Sequence, residues 1–168
     1  MRAIQCQAPG HPDWVETAEP EIAADEVLIQ VEAVTTCPPW DLHVMEGRPM
    51  WPGMELTYPM LPGQPGHETV GRVAAVGATV REWKIGQRVV VGVAKDMDLP
   101  GSYAEFVAYP AHLLLDAPEH LSAGAIAPLE LAMCVQVVFD RILERRAIRG
   151  ERIVIAGCGA AGLIAAQL

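Results

Sequence analysis

Between Gly47 and Gly66, nine of twenty residues are glycine or proline: Gly47, Pro49, Pro52, Gly53, Pro59, Pro62, Gly63, Pro65 and Gly66. Proline removes a backbone donor and glycine loosens the backbone, so no helix or strand survives that density. The stretch must be a long loop, and loops of that length in compact domains are usually functional or mobile. Regular structure has to form on either side of it. Upstream, Met1 to Gln7 reads as a strand ended by Ala8-Pro9-Gly10. Glu26 to Val34 reads as a stronger one, with Val27, Ile29, Val31 and Ala33 on one face. Downstream, strands are expected at Thr69–Val76, Arg88–Val93, Tyr103–Ala108 and Leu113–Leu115, separated by Gly77, Gly86 and Pro100-Gly101. Short strands at this spacing predict a small barrel or sandwich.

The pattern changes after Pro118. Ser122 is a candidate N-cap, Pro128 suits a first helical turn, and Leu131, Val135, Val138 and Ile142 recur at helical spacing. A helix is expected from Leu129 to Ile148, ended by Gly150. Arg152 to Ala156 then reads as a buried strand running into Gly157-Cys158-Gly159-Ala160-Ala161-Gly162 and an apolar helix. That context is what a dinucleotide fingerprint requires. Its glycines allow a tight turn, close approach to a pyrophosphate and tight helix packing, and the helix N-terminus supplies N–H donors. The plainer alternative is a glycine-rich turn with no ligand. A dinucleotide-binding sheet needs several more strands, so the 168 residues are expected to be one piece of a longer protein.

Composition narrows the partners. With 51% hydrophobic and 20% charged residues the chain is globular, and its net charge of −9 argues against nucleic acid. Arg141, Arg145, Arg146, Arg149 and Arg152 read as the solvated face and end of one helix. The longest near-apolar run, Ile153 to Ala166, is glycine-broken and too short to span a bilayer. Cys6, Cys37, Cys134 and Cys158 form no CxxC pair, Cys6 and Cys158 read as small apolar fillers, and MRAIQCQAPG shows no secretory h-region. A reducing, cytoplasmic location is therefore the expectation.

Gly66-His67-Glu68 closes the long loop and opens a strand, and Cys37 lies 30 residues upstream. Cysteine, histidine and carboxylate are zinc-type donors, and a catalytic zinc takes three protein ligands with one position open. The plainer readings are a buried thiol, a loop-capping histidine and a solvated strand-end charge. Met45, Met50, Met54 and Met60, with Trp51, either line an apolar substrate pocket or anchor the loop.

GHETVGRVAAVGATVREWKIGQRVVV resembles the signature of the medium-chain dehydrogenase/reductase superfamily. CPPWDLH is similar to that superfamily's zinc-cysteine segment. GSYAEFVAYPAHLLLDAPEHLS resembles the stretch closing its first domain, and ERIVIAGCGAAGLIAAQL the opening of its cofactor domain. The resemblance implies a mainly β GroES-like barrel with helices (residues 1–120), a connecting helix (121–150) and the first β-α of a Rossmann domain (151–168). It implies an alcohol or polyol dehydrogenase, with a secondary alcohol expected, using NAD or NADP and one catalytic zinc.

By that resemblance Cys37 and His67 are zinc ligands, and Glu68 binds the metal directly or through water. Asp41 orients His67 from behind, His43 sits at the proton-relay position, and Glu130 falls where a third ligand is placed. Cys134, one helical turn on, is the alternative fourth group. Gly157, Gly159, Ala160, Ala161 and Gly162 line the pyrophosphate. CPPWDLH has one residue more between cysteine and aspartate than is usual, and Trp40 stands where a relay serine or threonine is common, leaving Thr35 or Thr36 as substitutes. A four-cysteine lobe is absent between Val93 and Gly101, so no structural zinc is expected. Small-molecule substrates and a homodimer or homotetramer at full length follow, with the isolated chain inactive. The alternatives are a zinc-free quinone or enoyl reductase of the same superfamily and a non-catalytic GroES-like binding module.

Overall fold

The computed structural model describes residues 1–92, 99–145, 150 and 152–168. Two antiparallel strands, β1 (Arg2–Ala8) and β2 (His11–Glu16), form a hairpin at the N-terminus. A five-stranded antiparallel sheet follows, built from β3 (Glu26–Thr35), β4 (Glu68–Val76), β5 (Arg88–Val91), β6 (Phe106–Pro110) and β7 (Leu114–Asp116), in the order β6-β3-β4-β5-β7. Helix α1 (Pro38–Met45) follows β3, while α2 (Ala123–Ile126), α3 (Leu129–Arg145) and α4 (Ala160–Ala165) come after the sheet. The mainly β, GroES-like class expected from the sequence is the class observed. The ladder does not close on itself among the described residues, so the expected barrel is an open sheet. Its β6 edge is flanked by β1 through an Ala3–Ala104 bridge and Ile4 N–H to Tyr103 O.

The strand β5, read as RVVV, shows why its apolar run is continuous. Val89 and Val91 enter one core with Val27, Ile29, Val73 and Val107, while Val90 faces the other way into a cluster with Val70, Ala117, Ile126 and Ala127. Both faces are covered, so alternation with polar residues is not needed. In β3 the expected single apolar face is broken. A register shift between Val31 and Ala33 sends Val31 to the first core and Ala33 to the second. A bulge of this kind leaves one residue unpaired and re-aims its neighbours. The freed residue is Glu32, which pairs with Arg72 and with the buried Arg88. Arg88 also donates to the carbonyls of Pro118 and Leu121, clamping the segment that leads into α2 and α3 onto the sheet.

Three expectations change. The hairpin strand β2 is not expected from the sequence because Pro12 and Asp13 sit in it. As an edge strand paired only with β1, it tolerates proline. The Arg152–Ala156 run forms no strand, and Val154 is 91% exposed. A strand needs a neighbour for its N–H and C=O groups, and none of the described residues provides one. Cys158, expected as an apolar filler, is exposed. Val93, at the end of the expected Arg88–Val93 strand, most of the segment between Val93 and Gly101, and Arg146, Ile148 and Arg149 lie outside the described residues. Among the described residues no helix is long and apolar enough to cross a membrane.

Gly71 marks the closest approach of β4 to β3: a Cβ there would lie 2.3 Å from Gln30 O and 2.6 Å from Ile29 Cγ2. A Cβ on Gly124 in α2 would meet nothing within 4 Å. Gly71→Ala is expected to cost about 1–3 kcal/mol by overpacking, whereas Gly124→Ala is expected to be neutral or to stabilise by up to about 1 kcal/mol. Urea unfolding of the two variants against the parent checks both; equal midpoints for the two would contradict this packing.

Candidate functional site

The β3–β4 ladder ends on the pair Thr35–Glu68. Cys37 lies two residues beyond that rung on one side and His67 one residue before it on the other. A single rung therefore brings the loop after β3 and the loop before β4 face to face. One ligand atom each from Cys37, His67 and Glu68 lies within 4.8 Å of the others.

Each donor is fixed by its local backbone. Cys37 is the N-cap of α1, with Pro38 and Pro39 in the first turn, where their missing N–H groups cost nothing. The longer CPPWDLH spacing is absorbed as helix: Asp41 N–H bonds back to Cys37 O at 2.8 Å, and the thiol still meets His67 and Glu68. His67 Nδ1 faces Pro65 O at 3.0 Å, leaving the other ring nitrogen as the free donor. Glu68 is 2% exposed, and its Oε2 accepts a short bond from the Thr35 hydroxyl. No ion pair among the described residues reaches Glu68.

Behind these donors sits a network that the sequence does not reveal. Asp41 Oδ2 accepts from the Cys37 backbone N–H at 2.9 Å and from the Tyr103 hydroxyl. The Tyr103 ring lies so close to Gly66 that a Cβ there would be 2.9 Å from it. Tyr103 thus braces both loops, through Asp41 on the Cys37 side and through Gly66 on the His67 side. The hydrogen bonds of Asp41 go to Cys37 and Tyr103 rather than to His67, whose Nδ1 takes a carbonyl instead. Asp41 Oδ1 is buried without a partner. No spacing pattern signals Tyr103, because its bond to Asp41 joins residues 62 apart.

The electrostatics are one-sided. Burial pushes the Cys37 thiol pKa up, and the charges of Glu68, Asp41 and Glu130 add to the rise. Burial and its bond to Asp41 also push Tyr103 up. Cys134 is raised to about 11 by burial and then by Glu130, whose Oε1 lies 3.5 Å from its sulfur. Carboxylates and a thiol gathered out of water with no cation are costly unless a positive ion joins them. The donor types, their convergence and the lack of an ion pair to Glu68 among the described residues suit a divalent ion such as zinc.

A cleft of about 340 Å³ opens beside His67 and is lined by Glu130 from α3. Trp40, Trp51 and Met60 line it, whereas Met54 and Met60 also pack in a buried cluster with Cys6 and Val44. Trp51 and Met60 thus line a cleft, Met54 and Met60 anchor the loop, and Met60 does both. His43 is not in the cleft: its Nδ1 lies 3.2 Å from Arg48 O. On α1 it is Trp40 and Val44, four apart and so on one face, that reach the cleft.

At the far end of the chain, Gly157 has φ +114°, and a Cβ on Gly162 would lie 2.1 Å from Gly157 O. The GCGAAG turn therefore needs glycine at its first and last positions. Gly159 is the N-cap of α4, which begins at Ala160 and Ala161.

The description "alcohol dehydrogenase GroES-like domain" fits a family model that matches residues 23–119. The chain is 32% identical to an alcohol dehydrogenase of Aspergillus clavatus, over 91% of this chain and 42% of that protein. It is 28% identical to an L-threonine 3-dehydrogenase of Mesorhizobium japonicum, over 91% and 48% respectively. Among solved structures it is similar to an oxidoreductase/dehydrogenase of unknown specificity from Escherichia coli, with a TM-score of 0.79 at 25% identity, covering 99% of this chain and 53% of that one. The chain spans about half the length of the curated relatives it matches.

Removing the brace should loosen the candidate metal site without dismantling the fold. Tyr103→Phe is expected to weaken zinc binding by about tenfold or more, the usual scale for partners behind metal ligands. Competition with a chromophoric chelator measures this; an unchanged zinc affinity would rule out the bracing role.

Proposed function

The chain belongs to the alcohol dehydrogenase GroES-like domain family, and through it to the medium-chain dehydrogenase/reductase superfamily; from that premise we propose that it forms the catalytic part of a zinc-dependent oxidoreductase. The reaction is hydride transfer between an alcohol and NAD or NADP. The observation that carries this reading is the convergence of Cys37, His67 and Glu68 within 4.8 Å beside a cleft.

Cys37, His67 and Glu68 would hold the ion, with Glu130 facing it from α3. Zinc bound there would supply Lewis-acid chemistry, and a bound nicotinamide would supply the redox chemistry. The chain's own residues do the rest. Pro65 O fixes the orientation of the His67 ring, and Asp41 holds the start of α1 in place through the Cys37 N–H. The Thr35 hydroxyl bonded to Glu68 Oε2 gives a place to hold a proton at the inner edge of the site. That pair takes the relay role expected of a serine or threonine at Trp40. Gly157, Gly159, Ala160, Ala161 and Gly162 would meet a dinucleotide pyrophosphate, with residues 1–120 as the catalytic domain, 121–150 as the connection and 151–168 as the opening of a Rossmann domain. A cytoplasmic setting, small-molecule substrates and a homo-oligomer fit the same reading.

Zinc content decides the proposal. Purified protein reconstituted with zinc is expected to carry about one ion per chain, as a site with three protein ligands and one open position does, and His67→Ala is expected to lose it. Elemental analysis after dialysis is the measurement. Protein that keeps no zinc would move the assignment to a zinc-free reductase of the superfamily.

A further inference from the structure

The cleft beside His67 has a wall of a particular kind. Trp40 stands edge-on to the His67 ring, with centroids 6.0 Å apart and planes at 84°. Its other side stacks on Trp51, at 5.8 Å and 26°. Trp51 is 48% exposed. The three rings form a continuous aromatic strip from a donor of the site out to solvent. Val44, Met60, Val91 and Leu99 line the same cleft.

The polar groups that also line it are mostly spent on the fold. The Gln64 amide donates to Leu99 O at 2.7 Å, and its oxygen accepts from the Leu61 N–H. The Tyr109 hydroxyl donates to Pro100 O at 2.9 Å. His67 Nδ1 faces Pro65 O. Among the described side chains that leaves Glu130, at the site itself, and the indole N–H groups of Trp40 and Trp51. A substrate carrying several hydroxyls would leave water and find few partners along this wall, and unpaired hydroxyls are costly to bury. A flat, unsaturated hydrocarbon would displace water from apolar surface and stack on indole rings.

Resting on the oxidoreductase reading, we propose that the cleft selects an alcohol or carbonyl compound whose body is an aromatic or extended unsaturated hydrocarbon, and rejects polyols. Trp51 is the specificity-determining residue: it closes the outer end of the strip, where the body of the ligand lies once its oxygen is at the site.

Tryptophan fluorescence titration of the 168-residue chain, with and without zinc, provides the test. Cinnamyl alcohol and sorbitol are the probes. Cinnamyl alcohol is expected to quench saturably, and sorbitol to give no saturable change up to a concentration at least tenfold higher. Trp51→Ala should weaken cinnamyl alcohol binding by about tenfold, equivalent to about 1.4 kcal/mol. Trp51→Phe should restore most of that loss, because a ring remains to stack. Saturation-transfer NMR on the same samples reads binding independently of the lost indole, and far-UV circular dichroism confirms that the variants are folded. Sorbitol binding as tightly as cinnamyl alcohol, or a Trp51→Ala variant that binds the latter unchanged, would overturn the inference. The two readings fail separately. Zinc retained without aromatic preference sinks this one alone, and aromatic binding by protein that holds no zinc sinks the zinc-dependent function alone.

Discussion

The pairing of Thr35 with Glu68, the last rung of the β3–β4 ladder, sets where every donor of the site can lie. Antiparallel pairing at that point brings together two loops that are 30 residues apart in the chain, and it does so with strand precision rather than loop precision. Cys37 then needs only to cap a helix two residues on, and His67 only to precede its strand by one. The rung is also chemical: the Thr35 side chain bonds the Glu68 carboxylate across it. The same ladder is held on its other flank by β5, whose Arg88 ties the segment leading into α2 and α3 to the sheet and so helps bring Glu130 to the cleft.

Among the described residues, acidic groups gather around that rung and the arginines of the sheet are paired elsewhere. The arginines of the sheet, Arg72 and Arg88, are paired with Glu32 and Glu119, away from the thiol. Glu68, Asp41 and Glu130 all act on Cys37, and each makes its ionised form harder to reach. A site held this way is poised for a cation, since the ion would offset both the burial and the mutual repulsion. The brace of Tyr103 on Asp41 and Gly66 keeps the two donor loops from spreading to relieve that repulsion.

Much of this was legible in the chain. The glycine and proline punctuation of 47–66 required a loop, and GHE at its end marked the donors. Cys37 was recognisable as their partner, even though CPPWDLH is one residue long. What escaped has a common cause. Tyr103 acts on Asp41 from 62 residues away, and the Trp40–Trp51 strip depends on how a helix and an irregular loop meet. The bulge that splits Val31 from Ala33 leaves no mark in a strand whose apolar alternation runs straight through it. RIVIA reads as a strand by composition, yet strand formation is a property of a pair of segments and not of one.

Local pattern, then, determined most of the element types, the loop, the residue kinds able to bind a metal and the glycine turn at 157–162, because each depends on backbone freedom or side-chain chemistry within a few residues. The tertiary structure alone decided that Cys37, His67 and Glu68 converge, that His43 meets Arg48 O rather than lining the cleft, that Asp41 bonds Cys37 rather than His67, and that the cleft is walled by indole rings. Those outcomes rest on contacts between segments far apart in sequence, and the distance between two side chains is set by the sheet register that joins their strands.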